Sequence, residues 1–324
     1  MLIHDAVYGP TEILEPVLLD VINAPSVQRL KHIAQFGLPD AYCHLHGFSR
    51  FDHSVGVLLL LAHLGASLEE QVAGLLHDVS HTAFSHATDW IYQESITEDG
   101  QDSIHAHFLC TSDLPTILET HGMTVTRIAD HHLFSLLEQD APALCADRVD
   151  YTLRECDTSV TQACLPYLMV HEHRIVFSDL AAAQTLAHAY AERQRVHWGS
   201  ADSVSRYKLA GLLFKIGLKE GVITKQDFWT TDEQVLTKLE YASSAQIQHL
   251  LSVLKTPSLF EQFAFTVPTH KKFRHIDPDV LVDHQLVRLS EMDPDYCKTL
   301  DQARVDNAQG VRTLDLEDVM RGIE

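Results

Sequence analysis

The sequence predicts an all-α protein, a helical bundle followed by a mostly helical C-terminal elaboration. Three observations carry this prediction: apolar residues recur at spacings of three and four, clean alternating strands are nearly absent, and N-cap signals stand directly before apolar runs. At 324 residues the chain can hold one large helical domain or a domain plus an appendage, with a sizeable core. The expected division is a catalytic body over 1–220, with its motifs inside 50–155, and an elaboration over 221–324 packed on it.

Taken in order, Val27, Leu30, Ile33 and Ala34 form one apolar face of a short helix that Gly37 and Pro39 terminate. Asp52-His53 opens an apolar run from Val55 to Leu61 that ends near Gly65. Ser67-Leu68-Glu69-Glu70 fits a capping box, with Val72, Leu75 and Leu76 facing inward, and that helix closes at His77-Asp78. Residues 94–102 are acidic and contain glycine, which predicts an exposed loop bordering a site. Helices are expected around 103–110, 114–120, 129–138, 144–154, 180–195 and 203–219, with one short strand over 174–177 and an ambiguous stretch over 273–280. The basic cluster His270-Lys271-Lys272-Phe273-Arg274 is expected to be a solvated turn.

Charge narrows the function. The formal net charge is −21 with only 24 Lys and Arg, which argues against polymeric nucleic acid as a partner, because that binding draws on cations that neutralise phosphates. A small phosphorylated substrate stays compatible, since a metal ion and a few local arginines can invert the field in one pocket. The first residues carry neither a basic leader nor an apolar stretch of signal length, and the longest apolar run is far short of a span, so a cytoplasmic protein without membrane attachment is expected. Six cysteines at irregular spacings, with no Cys-x-x-Cys pair, are expected to be reduced thiols. Histidine is abundant, with 22 residues, and it is the side chain suited both to ligate metal and to exchange protons near neutrality.

The chemistry concentrates in Arg50-Phe51-Asp52-His53, in His77-Asp78-Val79-Ser80-His81 with Phe84-Ser85-His86, and in Asp147-Arg148-Val149-Asp150-Tyr151. Two imidazoles and two carboxylates on three helices can converge on one divalent ion and leave positions for water and substrate oxygens. Such an open site suits phosphoester hydrolysis. Neighbouring side chains on a helix diverge by about 100°, so His77 and Asp78 reach one ion only if it sits in the cleft at their helix end. The spacing His77, His81, His86 places His81 on that same side and carries His86 around the next turn. Any one of these residues alone reads as an ordinary core histidine or helix-end carboxylate; their joint occurrence carries the inference.

Together these motifs resemble the HD-domain superfamily, within it the branch of the SAM-and-HD-domain dNTP triphosphohydrolases and their bacterial relatives. The likeness extends to Asp5-Ala6-Val7-Tyr8-Gly9, Gln28-Arg29-Leu30, Gln35-Phe36-Gly37 and Thr230-Thr231-Asp232-Glu233-Gln234-Val235-Leu236. It implies an HD-domain helical bundle and one divalent metal ion, of Mn2+, Mg2+, Fe2+, Ni2+ or Zn2+, on His53, His77, Asp78 and Asp147. It further implies Arg50 and His81 on phosphate oxygens, His86 as the proton donor to the leaving oxygen, and Asp89 as the orienting partner of a site histidine. Gln35, Tyr151 and Glu155 match positions that read the sugar, and Arg148 matches a phosphate contact. The implied partner is a small phosphorylated substrate, a nucleotide, and a homo-oligomer is compatible with the resemblance.

Departures bear on the substrate. Cys145 stands where relatives commonly have a carboxylate, Glu155 is one methylene longer than the usual Asp, and His197 replaces an expected tyrosine in the loosely similar segment 193–198. The leading expectation is hydrolysis of a (deoxy)nucleotide phosphoester, including release of triphosphate from a dNTP. A phosphomonoesterase or nucleotidase acting on a smaller ester, and a non-catalytic nucleotide-sensing metal protein, stay open; a di-iron oxygenase ranks last.

Overall fold

The computed structural model describes residues 1–42, 45–91 and 100–321. The chain opens with a hairpin, β1 (Leu2–Asp5) and β2 (Gly9–Glu12). Its turn is set by Asp5, whose Oδ1 accepts from the Val7 and Tyr8 amides at 2.8 and 3.0 Å, and by Gly9 at φ +73°. Helices α1 (Pro16–Ile22) and α2 (Pro25–Gln28) each begin on proline, where the missing N–H costs nothing. The helix expected to reach Ile33 and Ala34 stops sooner, tightening into a 3-10 turn over Arg29–His32 and leaving Ile33 extended. The backbone there is used elsewhere: the Arg50 amide donates to the Ile33 carbonyl and the Gln35 amide to the Phe48 carbonyl, both at 2.9 Å.

Helix α3 (Arg50–His63) starts in a full capping box. Ser49 Oγ accepts from the Asp52 amide at 3.1 Å, and Asp52 Oδ2 accepts from the Ser49 amide at 3.0 Å. Helix α4 (Leu68–Leu76) starts on Ser67, whose Oγ accepts from the Glu70 amide at 3.2 Å. The return half of that expected box is absent. Glu70 turns inward instead and accepts from the Leu136 and Leu137 amides at 2.7 and 3.2 Å. This also explains why no helix forms over 129–138: a single 3-10 turn, His131–Leu133, is followed by amides satisfied by a distant carboxylate. Residues 94–99 of the expected acidic loop lie outside the described residues, and its end, over 100–102, opens α5 (Gly100–Thr111). Then come α6 (Leu114–Thr120), α7 (Val125–Ile128), α8 (Ala146–Glu155) and α9 (Thr158–Cys164).

The all-α expectation holds only in outline. Strands β3 (Leu168–His171) and β4 (Arg174–Phe177) form a second hairpin before α10 (Leu180–Arg193), a π-helical turn over Gln194–Trp198, and α11 (Ala201–Lys219). Helices α12 (Asp232–Glu240), α13 (Ala245–Lys255) and α14 (Pro257–Phe260) precede β5 (Phe265–Thr269), β6 (Asp279–Val282), β7 (Gln285–Arg288), α15 (Leu289–Met292), α16 (Pro294–Gln309), β8 (Val311–Leu314) and α17 (Leu316–Arg321). The order β3-β4-β6-β7 makes a four-stranded sheet, with β4 and β6 parallel, and β5 pairs with β8. The two-residue turns at Glu172-His173 and Asp283-His284 take positive φ without glycine, so neither hairpin announces itself in the sequence. The basic cluster is not a solvated turn: Lys271 donates to the Gly199 carbonyl, and Phe273, Arg274 and His275 are half-buried.

Two apolar cores result. The larger gathers α1, α3, α4, α8 and α10 with Ile276, Val280 and Tyr296. The smaller surrounds α11, α12 and α13 with Ala83, Phe84 and Ile91. The segment 77–86 crosses from one to the other, since Val79 belongs to the first and Ala83 and Phe84 to the second. The motif histidines therefore lie on the seam between the cores.

Candidate metal centre

Helix α3 enters the centre with Arg50 and His53, both buried. His53 Nδ1 lies 2.7 Å from Asp150 Oδ2, and because a carboxylate only accepts, that nitrogen carries the proton and Nε2 offers its lone pair inward. Helix α4 delivers His77 at its C-terminal cap, and His77 Nδ1 donates to the Gly74 carbonyl at 2.7 Å, which leaves its Nε2 as the inward atom too. The two Nε2 atoms are 3.2 Å apart. Asp147, in the first turn of α8, brings Oδ1 to 2.9 Å from His53 Nε2 and 3.5 Å from His77 Nε2. The ligating atoms of His53, His77 and Asp147 all lie within 4.8 Å of one another.

Asp78 stands at the edge of this set, with Oδ1 3.5 Å from His77 Nε2 and Oδ2 3.8 Å from His53 Nε2. Its Oδ2 accepts from Arg50 Nη1, while Arg50 Nε donates to Ser85 Oγ at 2.9 Å. Electrostatics follow from this packing. Burial opposes ionisation of Asp78, but Arg50, then His77 and His81, hold it well below the usual carboxylate range. Burial also opposes charge on His77, yet Asp78 and Asp147 outweigh it and raise His77 to about 9. A pocket that makes a buried imidazole more basic is one whose field favours positive charge, and two inward nitrogens with carboxylate oxygens are a donor set suited to a divalent cation. The residues present fit a metal.

Helix α4 ends at Leu76, so His81 is reached by short turns rather than along the helix: the Val79 amide donates to Leu76 and the His81 amide to Asp78, both at 3.0 Å. His81 Nε2 sits 3.3 Å from Asp78 Oδ1, and burial, reinforced by Arg50, pushes His81 far down and keeps the ring neutral. The chain then passes Phe84 and Ser85 at φ +63° and +47°, a conformation costly for residues with a Cβ. Asp232, the first residue of α12, holds it there, accepting from the Phe84 amide at 2.7 Å and the Ala34 amide at 2.8 Å. Arg29 braces the preceding turn by donating to the Val79 and His81 carbonyls at 3.0 and 2.7 Å. These supports place His86 edge-on to His81, with ring centroids 4.9 Å apart, and set its Nδ1 3.2 Å from Asp89 Oδ2. His86 retains 23% exposure, against 5% for His81.

The remaining expected residues divide. Tyr151 tilts toward His53 at 6.3 Å between ring centroids and shares a 2.7 Å hydrogen bond with Tyr190. Gln35 is half-buried, and its Oε1 finds no partner among the described residues. Glu155 has both oxygens engaged, accepting from His197 Nδ1 and Trp198 Nε1 at 2.6 Å each. Arg148 donates to the Ala143 and Gln139 carbonyls at 2.6 and 3.0 Å. Sequence reasoning assigned no supporting role to Arg29, Asp150, Arg154 and Asp232; His105 also stands beside the centre, its Nδ1 3.0 Å from Ser80 Oγ and its ring 4.7 Å from that of His131. Arg29, Asp150 and Asp232 stand inside segments that carry the resemblance, and Asp150 also stands three residues after Asp147 and so beside it on α8.

The family model described as "HD domain" matches residues 50–155. The metal-dependent phosphohydrolase cns2 of Cordyceps militaris is 31% identical over 297 residues, covering 86% of this chain and 85% of that protein. The deoxynucleoside triphosphate triphosphohydrolase SAMHD1 of Danio rerio is 37% identical over 144 residues, only 37% of this chain and 23% of that protein. A crystal structure of a phosphohydrolase from Bacteroides thetaiotaomicron superposes with TM-score 0.67 at 16% identity, over 90% of this chain and 94% of that one, a likeness of fold.

Proposed function

This chain belongs to the HD-domain family of metal-dependent phosphohydrolases, and from that premise we propose that it hydrolyses a phosphoester of a small nucleotide at one divalent ion held by His53, His77, Asp78 and Asp147. The observation that carries the proposal is the 3.2 Å approach of two imidazole Nε2 atoms, each with its Nδ1 already committed to an acceptor, beside the Asp147 carboxylate. An ion bound there offsets phosphoryl charge and makes a nearby water more acidic. Arg50, fixed at Nε by Ser85, and the neutral His81 contact phosphate oxygens. His86, more open than His81 and backed by Asp89 at Nδ1, delivers a proton from Nε2 to the leaving oxygen. Tyr151 and Gln35 face the sugar. The partial match to SAMHD1 supports a nucleotide and leaves the dNTP itself as the finer proposal.

A second reading has its own support. Glu155 and Arg148, which a nucleotide's sugar and phosphates would engage, are both tied within the fold, which favours a smaller phosphate ester. A metal-supplemented screen of deoxynucleotides, nucleotides and simple phosphate esters, with the released phosphate species identified, separates the two: triphosphate from dNTPs supports the first, orthophosphate from monoesters alone the second. Asp78→Ala should lose bound metal and activity together. Full metal content in that folded variant, by elemental analysis, would remove Asp78 from the ligand set.

A further inference from the structure

We propose that the N-terminal hairpin is a positioning element of the metal centre, acting through a buried relay from Tyr8 and Asp5 to His53; the inference rests on reading His53 as a metal ligand. The relay is continuous. Asp150 Oδ2 accepts from His53 Nδ1 at 2.7 Å and from Arg154 Nε at 2.7 Å, while its Oδ1 accepts from the Tyr8 hydroxyl at 2.9 Å. Arg154 in turn donates from Nη2 to Asp5 Oδ2 at 2.7 Å. The side chains of His53 and Asp150 are fully buried, and those of Arg154 and Asp5 are 4% and 5% exposed, so no solvent competes for these bonds.

Each member has a distinct task. Asp150 and Arg154 sit one turn apart on α8 and would form a pair without outside help. That pair fixes one carboxylate oxygen only. Tyr8 secures the other, and with both oxygens held the carboxylate plane cannot rotate and exchange the atom offered to His53. Asp5 anchors the far end of Arg154 and sets the turn that presents Tyr8, since its second oxygen accepts the Val7 and Tyr8 amides. Two carboxylates against one guanidinium leave an excess negative charge on the side facing His53, which strengthens Nε2 as a donor atom. The hairpin thus controls both the ring orientation and the ligand strength of a residue it never touches.

The test uses the full chain freed of metal and titrated with Co2+, whose visible bands report ligand geometry. Tyr8→Phe keeps the ring and removes one hydroxyl. Its Kd for Co2+ should rise roughly 10- to 100-fold, its bands should shift, and the melting temperature of the metal-free protein should stay close to wild type. Asp5→Asn, at the other end of the relay, should move Kd in the same direction by less and serves if Tyr8→Phe does not fold. Wild-type Kd and bands in both variants would overturn the inference while leaving the metal centre intact. Weaker binding with unmoved bands and a lowered metal-free melting temperature would overturn it in favour of a merely structural hairpin. A wild-type chain that takes up no Co2+ would overturn the metal-centre reading and the relay with it.

Discussion

Replacing Gly56 with alanine tests whether the packing behind His53 is as tight as the relay requires. Gly56 lies inside α3, one turn after His53, and a Cβ there would fall deep inside the van der Waals shells of Arg154 Nη2 and Asp150 Oδ1 and 2.7 Å from Arg154 Cζ. Those atoms end flexible side chains, and on a surface they would swing away. Here they cannot, because Asp150 is held by three donors and Arg154 by two carboxylates. Alanine regains about 1 kcal/mol of helix propensity. Against that, crowding a close-packed site costs about 1–3 kcal/mol, and displacing one member of a buried ion pair costs about 3–5 kcal/mol. The net loss is about 3–7 kcal/mol, a large part of the roughly 5–15 kcal/mol that holds a typical domain. Urea unfolding followed by circular dichroism, with Co2+ affinity on any folded fraction, measures both consequences. A Gly56→Ala protein within about 1 kcal/mol of wild type and with unchanged affinity would show that Arg154 and Asp150 can relax, and would refute the argument from close packing.

Two further outcomes are expected. His86→Ala should lose about 10²- to 10⁴-fold in kcat with metal content unchanged, and the loss should shrink on aryl phosphates, whose leaving groups need little proton help; equal losses on alkyl and aryl esters would count against proton donation. Stability should also fall in acid because of His105: burial first, then the charge on His131 and His77, pushes it down to about 3, whereas in the unfolded chain it titrates near 6.5. The unfolded state therefore binds the extra proton between those values, and stability is full above about pH 6.5 and declines by up to about 1.4 kcal/mol per unit as pH falls toward 3. His105→Gln should flatten that decline in denaturant titrations at several pH values, and an unchanged slope would show that His105 is not buried as a neutral ring.

How much was legible in the sequence depends on the range of the interaction. Helix α3 was readable because its apolar run and its stop are local, although its Ser49 cap was not named, and α6 over Leu114–Thr120 was readable from a local pattern as well. The region 129–138 was misread because its amides are satisfied by Glu70, more than sixty positions away, and no local pattern records that. The strand over Arg174–Phe177 was expected and is present as β4, whereas its partner β3 and the pair β6 and β7 escaped because four residues give too little alternation and their turns lack glycine. Histidine spacing correctly predicted that His77, His81 and His86 are neighbours, but through a helical i, i+4 relation that does not exist: α4 stops at Leu76, and a pair of positive-φ residues makes the swing.

That swing depends on a contact from the chain beyond residue 221. A buried Phe84 and Ser85 at positive φ would relax to ordinary backbone conformations if nothing opposed it. What opposes it is Asp232, from beyond residue 221, and Asp232 is itself an unfavourable group to bury: with 4% exposure, its carboxyl is pushed up to about 6 by loss of water, even though two backbone amides and the nearby Arg50 and Arg29 pull the other way. The physical reason for such a group at this position is that one carboxylate can bind two amides at once, joining Ala34 before α3 to Phe84 after the His77-Asp78 pair. Ser85 closes the same circuit from the other side, donating to the Ala34 carbonyl at 3.0 Å and accepting from Arg50. The positions of Arg50 and His86 are thus set by a residue well over a hundred positions downstream of both, so the segment that carries the motifs and the chain beyond residue 221 are tied together at the centre.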